Sequence, residues 1–320
     1  MRGEPPVPDT DMTVTADDGI RLAGTLTLPD GPGPHPAVLL LHGSGPLDRN
    51  GDTPKLPVNL GRPLAAALAA HGIATLRTDR RGAGATPGDW RTTGFTGNRR
   101  DAAAALRALA AHPDVRPGAV GVVGHSEGAL HAMALAARDD VAAAVLLAGY
   151  ARTGEDALRW QARSVLESLP APVRALRRPL GAAGERLLAR VKATRTDAAR
   201  VAGLPLNARW MRENLAHDTR DDLAAVRAPV LAVTGDKDLQ VDPADLDVIR
   251  RLVPGETEVH RVSCLTHVLR RDGGRPSLRS YRRLLRDPVD PDLLALVTGW
   301  LARRLGAAPG ALPAEKAASS

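Results

Sequence analysis

The residues G-H-S-E-G at positions 124–128 carry the clearest chemical signal in this sequence. They match G-x-S-x-G, a pattern in which serine occupies a sharp turn between a strand and a helix and exposes its hydroxyl. The turn needs small neighbours, and it places the backbone N–H of Glu127 at the positive end of the helix. An apolar run at 119–123 precedes the motif, and a helix-forming run follows it. The pattern therefore predicts Ser126 as a nucleophile rather than as part of an ordinary glycine-rich turn.

A serine hydroxyl needs a base to remove its proton and an acidic group to orient that base. With this kind of turn, the acid and then the histidine follow the serine in chain order. Two candidate acids, Asp236 and Asp238, follow a predicted strand at 229–233. Asp238 stands beyond the turn at Gly235, where its side chain can swing back over the strand end. Asp236 sits in the turn itself and is expected to bond the local backbone, so the sequence favours Asp238.

Two histidines, His260 and His267, lie downstream of Asp238. His260 falls within a predicted strand at 258–262, which is typical of a packed or edge histidine. His267 lies just after that strand, at the edge of the sheet where ligands gather in open α/β sheets. The sequence therefore predicts His267 as the base. The single cysteine, Cys264, is expected to be a small buried apolar residue rather than a thiol nucleophile.

Acyl transfer also needs N–H donors aimed at the oxyanion that develops on the substrate. The residues H-G-S-G-P at 42–46 follow the first buried strand, and glycine lets a backbone approach substrate closely. We assign the oxyanion hole to the backbone N–H groups of Ser44 and Glu127. The alternative that these glycines only form a tight loop stays open. Ser44 is not expected to be a nucleophile, because no turn opening a helix follows it.

The elements that must position these residues alternate between strands and helices. Residues 12–29 predict two antiparallel strands joined by a turn at 17–19. The further predicted strands are 37–41, 73–77, 119–123, 141–147, 229–233 and 258–262, and the main predicted helices are 60–71, 98–111, 126–137 and 291–305. Continuous apolar strands that alternate with helices predict a mostly parallel sheet covered by helices on both faces.

The strand pattern stops between residues 150 and 227, where segments such as 157–169 and 184–201 have helical periodicity broken by prolines. This predicts a helical cap at 151–225, inserted ahead of the acid-bearing strand into a core made of 1–150 and 226–305. Such a cap is expected to cover the site and to set substrate size. Residues 306–320 are rich in Ala, Pro, Gly and Ser, which predicts a disordered tail.

The net charge of +7 is concentrated in two segments of the chain. Residues 151–205 contain eleven basic and five acidic residues, and residues 260–320 contain the same numbers. Seven scattered aromatic residues do not supply the stacking surface of a nucleic-acid-binding protein, so no nucleic-acid partner is expected. The positive charge of the cap suggests instead an anionic substrate such as a coenzyme A thioester.

The remaining composition excludes several other classes. One cysteine cannot form an internal disulfide, and the N-terminal residues lack the basic start and apolar stretch of a secretory signal. No apolar run approaches the 18 residues or so of a membrane span. No clustered histidines, cysteines or carboxylates call for a metal. We expect a cytoplasmic protein with no membrane partner and no metal.

Three motifs together resemble those of the bacterial α/β-hydrolase carboxylesterases. They are L-H-G-S-G-P-L-D-R-N at 41–50, D-R-R-G-A-G at 79–84 and G-H-S-E-G at 124–128, and residues 207–215 are also similar. The resemblance covers about residues 12–305 and is weakest in the insertion. It implies the α/β-hydrolase fold, a triad of Ser126, His267 and Asp238, no cofactor, and small ester substrates of short to medium acyl length. Ala129 departs from the pattern, and an insertion poor in aromatic residues leaves the acyl-chain preference open.

Other functions fit the same residues. A thioesterase or a peptidase would use the same triad, and the same fold can carry lyase or ring-forming chemistry or survive as an inactive binding protein. The sequence leaves the oligomeric state open. It also leaves open which of Trp160, Trp210 and Tyr150 lines the pocket.

Overall fold

The computed structural model describes residues 9–54, 56–174, 177–201 and 203–307. The strands are β1 (Asp9–Thr15), β2 (Arg21–Thr27), β3 (His35–Leu41), β4 (Ala74–Thr78), β5 (Val115–His125), β6 (Ala143–Leu147), β7 (Ala198–Val201), β8 (Leu204–Asn207), β9 (Val230–Gly235) and β10 (Thr257–Val262). Eight of them form one sheet in the order β1-β2-β4-β3-β5-β6-β9-β10. The β1–β2 and β2–β4 pairs are antiparallel, and the other pairs of this sheet are parallel.

Helices cover both faces of the sheet. In the described residues the α-helices are α1 (Gly61–Ala69), α2 (Phe95–Ala110), α3 (Glu127–Arg138), α4 (Gly154–Ser168), α5 (Ala171–Arg174), α6 (Arg177–Ala193), α7 (Ala208–Ala216), α8 (Thr219–Leu223), α9 (Asp245–Leu252), α10 (Tyr281–Leu284) and α11 (Pro291–Leu305). Successive residues of a strand point to opposite faces. Leu39 accordingly packs in the layer that contains α2 and α3, whereas Val38 and Leu40 pack in the layer that contains α1 and α11. The predicted fold, a mostly parallel sheet with helices on both faces, is confirmed.

The register of the sheet brings the carboxyl ends of its central strands to one edge. Leu41 of β3 is paired with Gly124 of β5, and His125 is paired with Leu147 of β6. Leu147 is paired in turn with Val233 of β9. Because the strands are parallel, the loops that follow them all emerge at this edge, which is where ligands bind in open α/β sheets.

The segment between β6 and β9 differs from the sequence prediction. It contains α4 to α8, but it also contains an antiparallel hairpin of β7 and β8, where no strand was predicted. The helix predicted across 184–201 ends at Ala193, and the hairpin turn uses Gly203 at a φ of +80°. The short strand Ala198–Val201 has no alternating apolar pattern, so its pairing with β8 rather than a local preference defines it. The helix α9 also had no sequence prediction.

Part of the predicted tail lies outside the described residues, as do residues 1–8 of the predicted core. Gly306, at the start of the predicted tail, adopts a left-handed conformation and ends α11, as glycine commonly does after a helix. Among the described helices, none is both long enough and apolar enough to cross a membrane.

Candidate active site

The turn between β5 and α3 holds Ser126 in a strained backbone conformation, with φ 56° and ψ −121°. Its N–H donates to the carbonyl of Leu147 over 2.9 Å. A Cβ on Gly124 would lie 2.1 Å from the carbonyl oxygen of Gly128, and a Cβ on Gly128 would lie 2.0 Å from that of Leu41. Both contacts are far shorter than van der Waals distance. The two glycines of the motif are therefore required by the close packing of β3, β5 and α3.

Ser126, His267 and Asp238 form a hydrogen-bonded chain at the carboxyl edge of the sheet. The Oγ of Ser126 lies 3.1 Å from Nε2 of His267. The Nδ1 of His267 lies 2.8 Å from Oδ2 of Asp238. Because Nδ1 faces a carboxylate, it is the nitrogen that carries the proton of a neutral ring, and Nε2 is left to accept from the serine hydroxyl. This is the arrangement in which imidazole can act as a base toward serine.

The carboxylate of Asp238 is fixed by the backbone of its own loop. Its Oδ1 accepts from the N–H groups of Gln240 and Val241 over 2.7 and 2.9 Å. The residue is 4% exposed. Two backbone donors hold Oδ1, so Oδ2 stays aimed at His267.

The alternative acid and base lie elsewhere. The exposed Asp236 accepts from the N–H of Cys264 over 2.7 Å, so it bonds the loop after β10 instead of its own turn. The Nε2 of His260 lies 2.6 Å from Oε1 of Glu258, and both residues belong to β10. Cys264 is only partly buried, contrary to the prediction. It adopts a left-handed backbone conformation in a turn, and the next residue, Leu265, is the one that is buried.

The two predicted oxyanion-hole residues border the same cavity as Ser126. Ser44, Glu127, Ser126 and His267 all line a space of about 130 Å³. A Cβ on Gly43 would lie 3.4 Å from the Cβ of Ser126, so the loop after β3 passes directly beside the serine. The backbone at Gly43 thus lies beside Ser126, as the loop that carries an oxyanion donor must.

Two buried histidines support the site as neutral hydrogen-bond donors. The Nε2 of His125 donates to the carbonyl of His267 over 2.8 Å, and burial lowers the pKa of its ring to about 3. The Nε2 of His42 donates to the carbonyl of Arg49 over 2.7 Å, and burial lowers the pKa of this ring to about 4. His125 therefore holds the backbone of His267, a role that the sequence analysis missed.

An ion pair joins the motif at 41–50 to the motif at 79–84. The guanidinium of Arg49 contacts Asp79 through Nε at 3.0 Å and Nη2 at 2.9 Å, and its backbone N–H donates to the same carboxylate over 2.6 Å. Burial raises the pKa of Asp79, but the bonds from Arg49 outweigh it and the net shift is downward. The pair ties the loop that carries Ser44 to the loop after β4.

The side chain of Glu127 forms a buried polar cluster beside Ser126. Its Oε1 accepts from Arg80 over 3.0 Å, from Asn98 over 3.1 Å and from His131 over 2.9 Å. Burial alone would raise the pKa of this carboxyl, but the charge of Arg80 and the bond from His131 lower it to about 2. The sequence motif points only to the backbone N–H of Glu127. The available signal for this cluster was the charge of Glu127 in a turn where small neighbours are expected.

The walls of the cavity come largely from α4 and α7. Its apolar lining includes Leu130, Leu158, Met211 and Val241. Tyr150 and Trp210 also line it, whereas Trp160 is not among its described lining residues. A second cavity of about 210 Å³ adjoins it and shares Ser44 and Trp210.

An eight-stranded sheet with a strained serine at the turn after its central strand defines this chain as an α/β hydrolase. A model of the family described as serine aminopeptidase, S33, matches residues 59–272. This match spans more than half of the chain and includes Ser126, Asp238 and His267. The chain therefore belongs to that hydrolase family.

A relative named as an esterase matches part of the chain. Esterase EstD of Thermotoga maritima is 34% identical over 148 residues, which are 46% of this chain and 35% of EstD. The chain thus matches only about a third of that protein's length.

Among solved structures, Est1E from Butyrivibrio proteoclasticus has a TM-score of 0.59 at 18% identity and covers 92% of this chain and 99% of Est1E. The Pyrococcus furiosus esterase PF2001 has a TM-score of 0.58 at 16% identity, with 96% of each chain covered. At these identities the two structures show a shared fold.

Proposed function

We propose that this protein hydrolyses carboxylic esters through an acyl-enzyme on Ser126. The observation that carries the proposal is the hydrogen-bonded chain from Ser126 through His267 to Asp238, at 3.1 and 2.8 Å. Serine at a strained turn, a neutral imidazole that can accept its proton, and a buried carboxylate behind the imidazole are the components of serine acyl transfer.

In the first half of the reaction, Ser126 attacks the ester carbonyl while Nε2 of His267 removes its proton. Asp238 holds the ring in place and stabilises the imidazolium that forms. The carbonyl oxygen becomes an oxyanion, which the N–H groups of Ser44 and Glu127 stabilise. His267 then donates its proton to the leaving alkoxide, and the acyl-enzyme remains.

In the second half, water takes the place of the alcohol. His267 removes a proton from the water as it attacks the acyl-enzyme, and the same N–H groups stabilise the second oxyanion. The proton then passes from His267 to Ser126, which restores the starting state and releases the carboxylic acid.

The cavity favours a neutral acyl group of short to medium length. Its lining combines the apolar side chains of Leu130, Leu158, Met211 and Val241 with uncharged polar ones such as Gln161. None of its described lining residues is an arginine or a lysine. Several basic residues of the insertion are paired with carboxylates, for example Arg159 with Glu185. The lining thus supports an uncharged ester over a coenzyme A thioester, although both would react with the same triad.

The test compares the wild type with Ser126→Ala on p-nitrophenyl esters of increasing acyl length. A coenzyme A thioester and an aminoacyl p-nitroanilide serve as the thioester and amide substrates. We expect turnover of short esters that falls in the variant by a factor on the order of 10⁶ in kcat. A higher kcat/KM on the thioester or the anilide would assign the site to a thioesterase or a peptidase. Equal inactivity of both proteins on every substrate would refute the hydrolytic function.

A further inference from the structure

The cavity of about 210 Å³ that adjoins the one containing Ser126 is the larger of the two. Ser44 and Trp210 line both cavities, so the two spaces meet at these residues. Ser44 is the proposed oxyanion donor, and an ester carbonyl bound there has its acyl part on one side and its alcohol part on the other. One of these parts can therefore extend into the larger cavity, to which the proposed mechanism assigns no substrate group.

Four planar side chains line the larger cavity. Two of the chain's four tryptophans, Trp90 and Trp210, belong to it, and so do the guanidiniums of Arg80 and Arg81. Indole rings pack favourably against other aromatic rings, and a guanidinium stacks on an aromatic face. Residues 205–206 of β8 add a proline and a leucine to the lining. This combination favours a flat, apolar group as the occupant.

The polar side chains of this lining are already used within the protein. Apart from Ser44, those with a guanidinium, amide or hydroxyl group each make an internal hydrogen bond; they are Arg80, Arg81, Thr93, Asn98 and Asn207. Arg80 donates to Glu127 over 3.0 Å. Arg81 donates to Asp101 over 2.7 and 2.6 Å. Both carboxylates lie outside the lining, so the two positive charges are balanced there and the cavity suits an uncharged group.

One buried amide fixes the backbone at both tryptophans. The Nδ2 of Asn207 donates to the carbonyls of Trp90 and Thr93 over 2.5 and 2.7 Å. Its Oδ1 accepts from the N–H of Trp210 over 2.9 Å at the start of α7. The loop that carries Trp90 and the helix that carries Trp210 are therefore held together before a ligand binds. Such preorganisation reduces the entropy that is lost on binding.

We propose that this larger cavity is a subsite for an aromatic ring of the substrate, which makes the enzyme selective for arylalkyl esters. The ring packs among the planar side chains while the ester carbonyl lies between Ser126 and Ser44. It is carried by the acyl or the alcohol part of the ester, and the experiment distinguishes the two. Trp90 lines only the larger cavity and is assigned as a specificity-determining residue. This inference names the substrate class of the proposed ester hydrolysis and rests on it.

The kinetic experiment uses two pairs of esters in which a phenyl ring is exchanged for cyclohexyl. They are 2-phenylethyl and 2-cyclohexylethyl butanoate, and ethyl 3-phenylpropanoate and ethyl 3-cyclohexylpropanoate. A cavity that is only apolar favours cyclohexyl, which buries more apolar surface. We expect kcat/KM to be about three- to tenfold higher for the phenyl ester of one pair, as packing between aromatic rings allows. That pair identifies the part of the ester that carries the ring.

Variants of Trp90 assign the preference to this cavity. Trp90→Leu keeps an apolar side chain but removes the ring, so it should abolish most of the phenyl preference and leave ethyl butanoate almost unchanged. Trp90→Phe restores a ring and should recover most of the preference. Trp160→Leu is the matched control, because Trp160 is not among the described lining residues of either cavity. A full phenyl preference in Trp90→Leu would overturn the assignment.

A binding experiment separates this inference from the hydrolytic one. Both pairs of esters are titrated into Ser126→Ala by calorimetry, where no turnover is needed. We expect the preferred phenyl ester to bind about three- to tenfold more tightly than its cyclohexyl counterpart, and to lose this advantage when Trp90→Leu is added. Equal or tighter binding of the cyclohexyl ester in both pairs would overturn the aromatic subsite even if every ester is hydrolysed. A phenyl preference in binding, with no turnover by the wild type, would instead support the subsite and refute the hydrolysis.

Discussion

Asp236 and Asp238 are separated by one residue, yet their carboxylates face different partners. Asp238 is buried, and two backbone donors on one oxygen leave the other oxygen for His267. Asp236 is exposed and holds the backbone of Cys264. The two aspartates therefore offer a comparison within one turn between a carboxylate that orients an imidazole and one that only ties two loops together.

We predict that Asp238→Asn lowers kcat by a factor on the order of 10⁴, because an amide favours the wrong tautomer of His267. Asp236→Asn keeps an oxygen acceptor for Cys264 and should change kcat by less than about threefold. Steady-state kinetics on a p-nitrophenyl ester, with circular dichroism to establish folding, measures both. A larger loss in the Asp236 variant would reverse the assignment of the acid.

At the scale of elements, the site depends on how closely β3, β5 and α3 approach one another. The carbonyl oxygen of Leu41, at the end of β3, would lie 2.0 Å from a Cβ on Gly128. The first turn of α3 packs equally closely against Gly124. This approach positions both the strained serine and the start of the loop that carries Ser44. The glycines thus couple the proposed nucleophile to the proposed oxyanion hole.

We predict that Gly128→Ala destabilises the protein by several kcal/mol, because its Cβ would lie 2.0 Å from the backbone oxygen of Leu41. Gly184 in α6 is the control, since a Cβ there meets nothing within 4 Å. Gly184→Ala should raise stability by roughly 0.5 to 1 kcal/mol through the higher helix propensity of alanine. Urea unfolding gives both values. Equal stability of the two variants would contradict the close approach of β3 and α3.

At the scale of the whole molecule, the segment between β6 and β9 is tied to the sheet by polar contacts. The guanidinium of Arg152, ahead of α4, lies 2.9 Å from Asp242 and also contacts Asp245. Glu213 of α7 accepts from the N–H of Thr96 at the start of α2 over 2.8 Å. These contacts fix α4 and α7 over the carboxyl edge of the sheet, where both helices wall the cavity. We propose that this segment acts as the cap that sets substrate size.

Buried imidazoles make the stability of the whole molecule depend on pH. His42 and His125 have folded-state pKa values of about 4 and about 3, below the ordinary value of about 6.5. The unfolded chain therefore binds protons that the folded chain rejects. The stability that the neutral rings contribute is complete above pH 6.5 and is lost as the pH falls toward 4 and 3.

We predict that stability falls between pH 8 and pH 5 by roughly 2 kcal/mol for each buried imidazole. His42→Gln removes one titrating ring and keeps an N–H donor for the carbonyl of Arg49, so it should reduce the loss by about that amount. His260→Gln, at a partly exposed ring, is the control and should leave the loss unchanged. Glu127, with a folded-state pKa of about 2, loses its contribution only below pH 4.5 and does not interfere. An identical loss in wild type and His42→Gln would exclude this source of acid sensitivity.

The order of apolar runs and motifs along the chain predicts the fold class and points to one serine, one aspartate and one histidine. Apolar runs that alternate with helices leave little choice but a covered parallel sheet, and a sheet of this kind brings the ends of its strands together. Ser126 follows from the small neighbours that its turn requires. Asp238 and His267 follow from chain order and from their places just beyond predicted strands.

The remaining features follow only from the folded chain, because they depend on partners that are distant in sequence. The strand Ala198–Val201 exists through its pairing with β8, because Val201 is the only one of its four residues that favours a strand. The pKa of Glu127 is lowered because the charge of Arg80 and the hydrogen bond from His131 outweigh its burial. Trp210 faces the cavity because of how α7 packs over the sheet edge. The local sequence indicates secondary-structure propensity and the order of the elements. Burial and hydrogen-bond partners are set only when distant segments of the chain pack together.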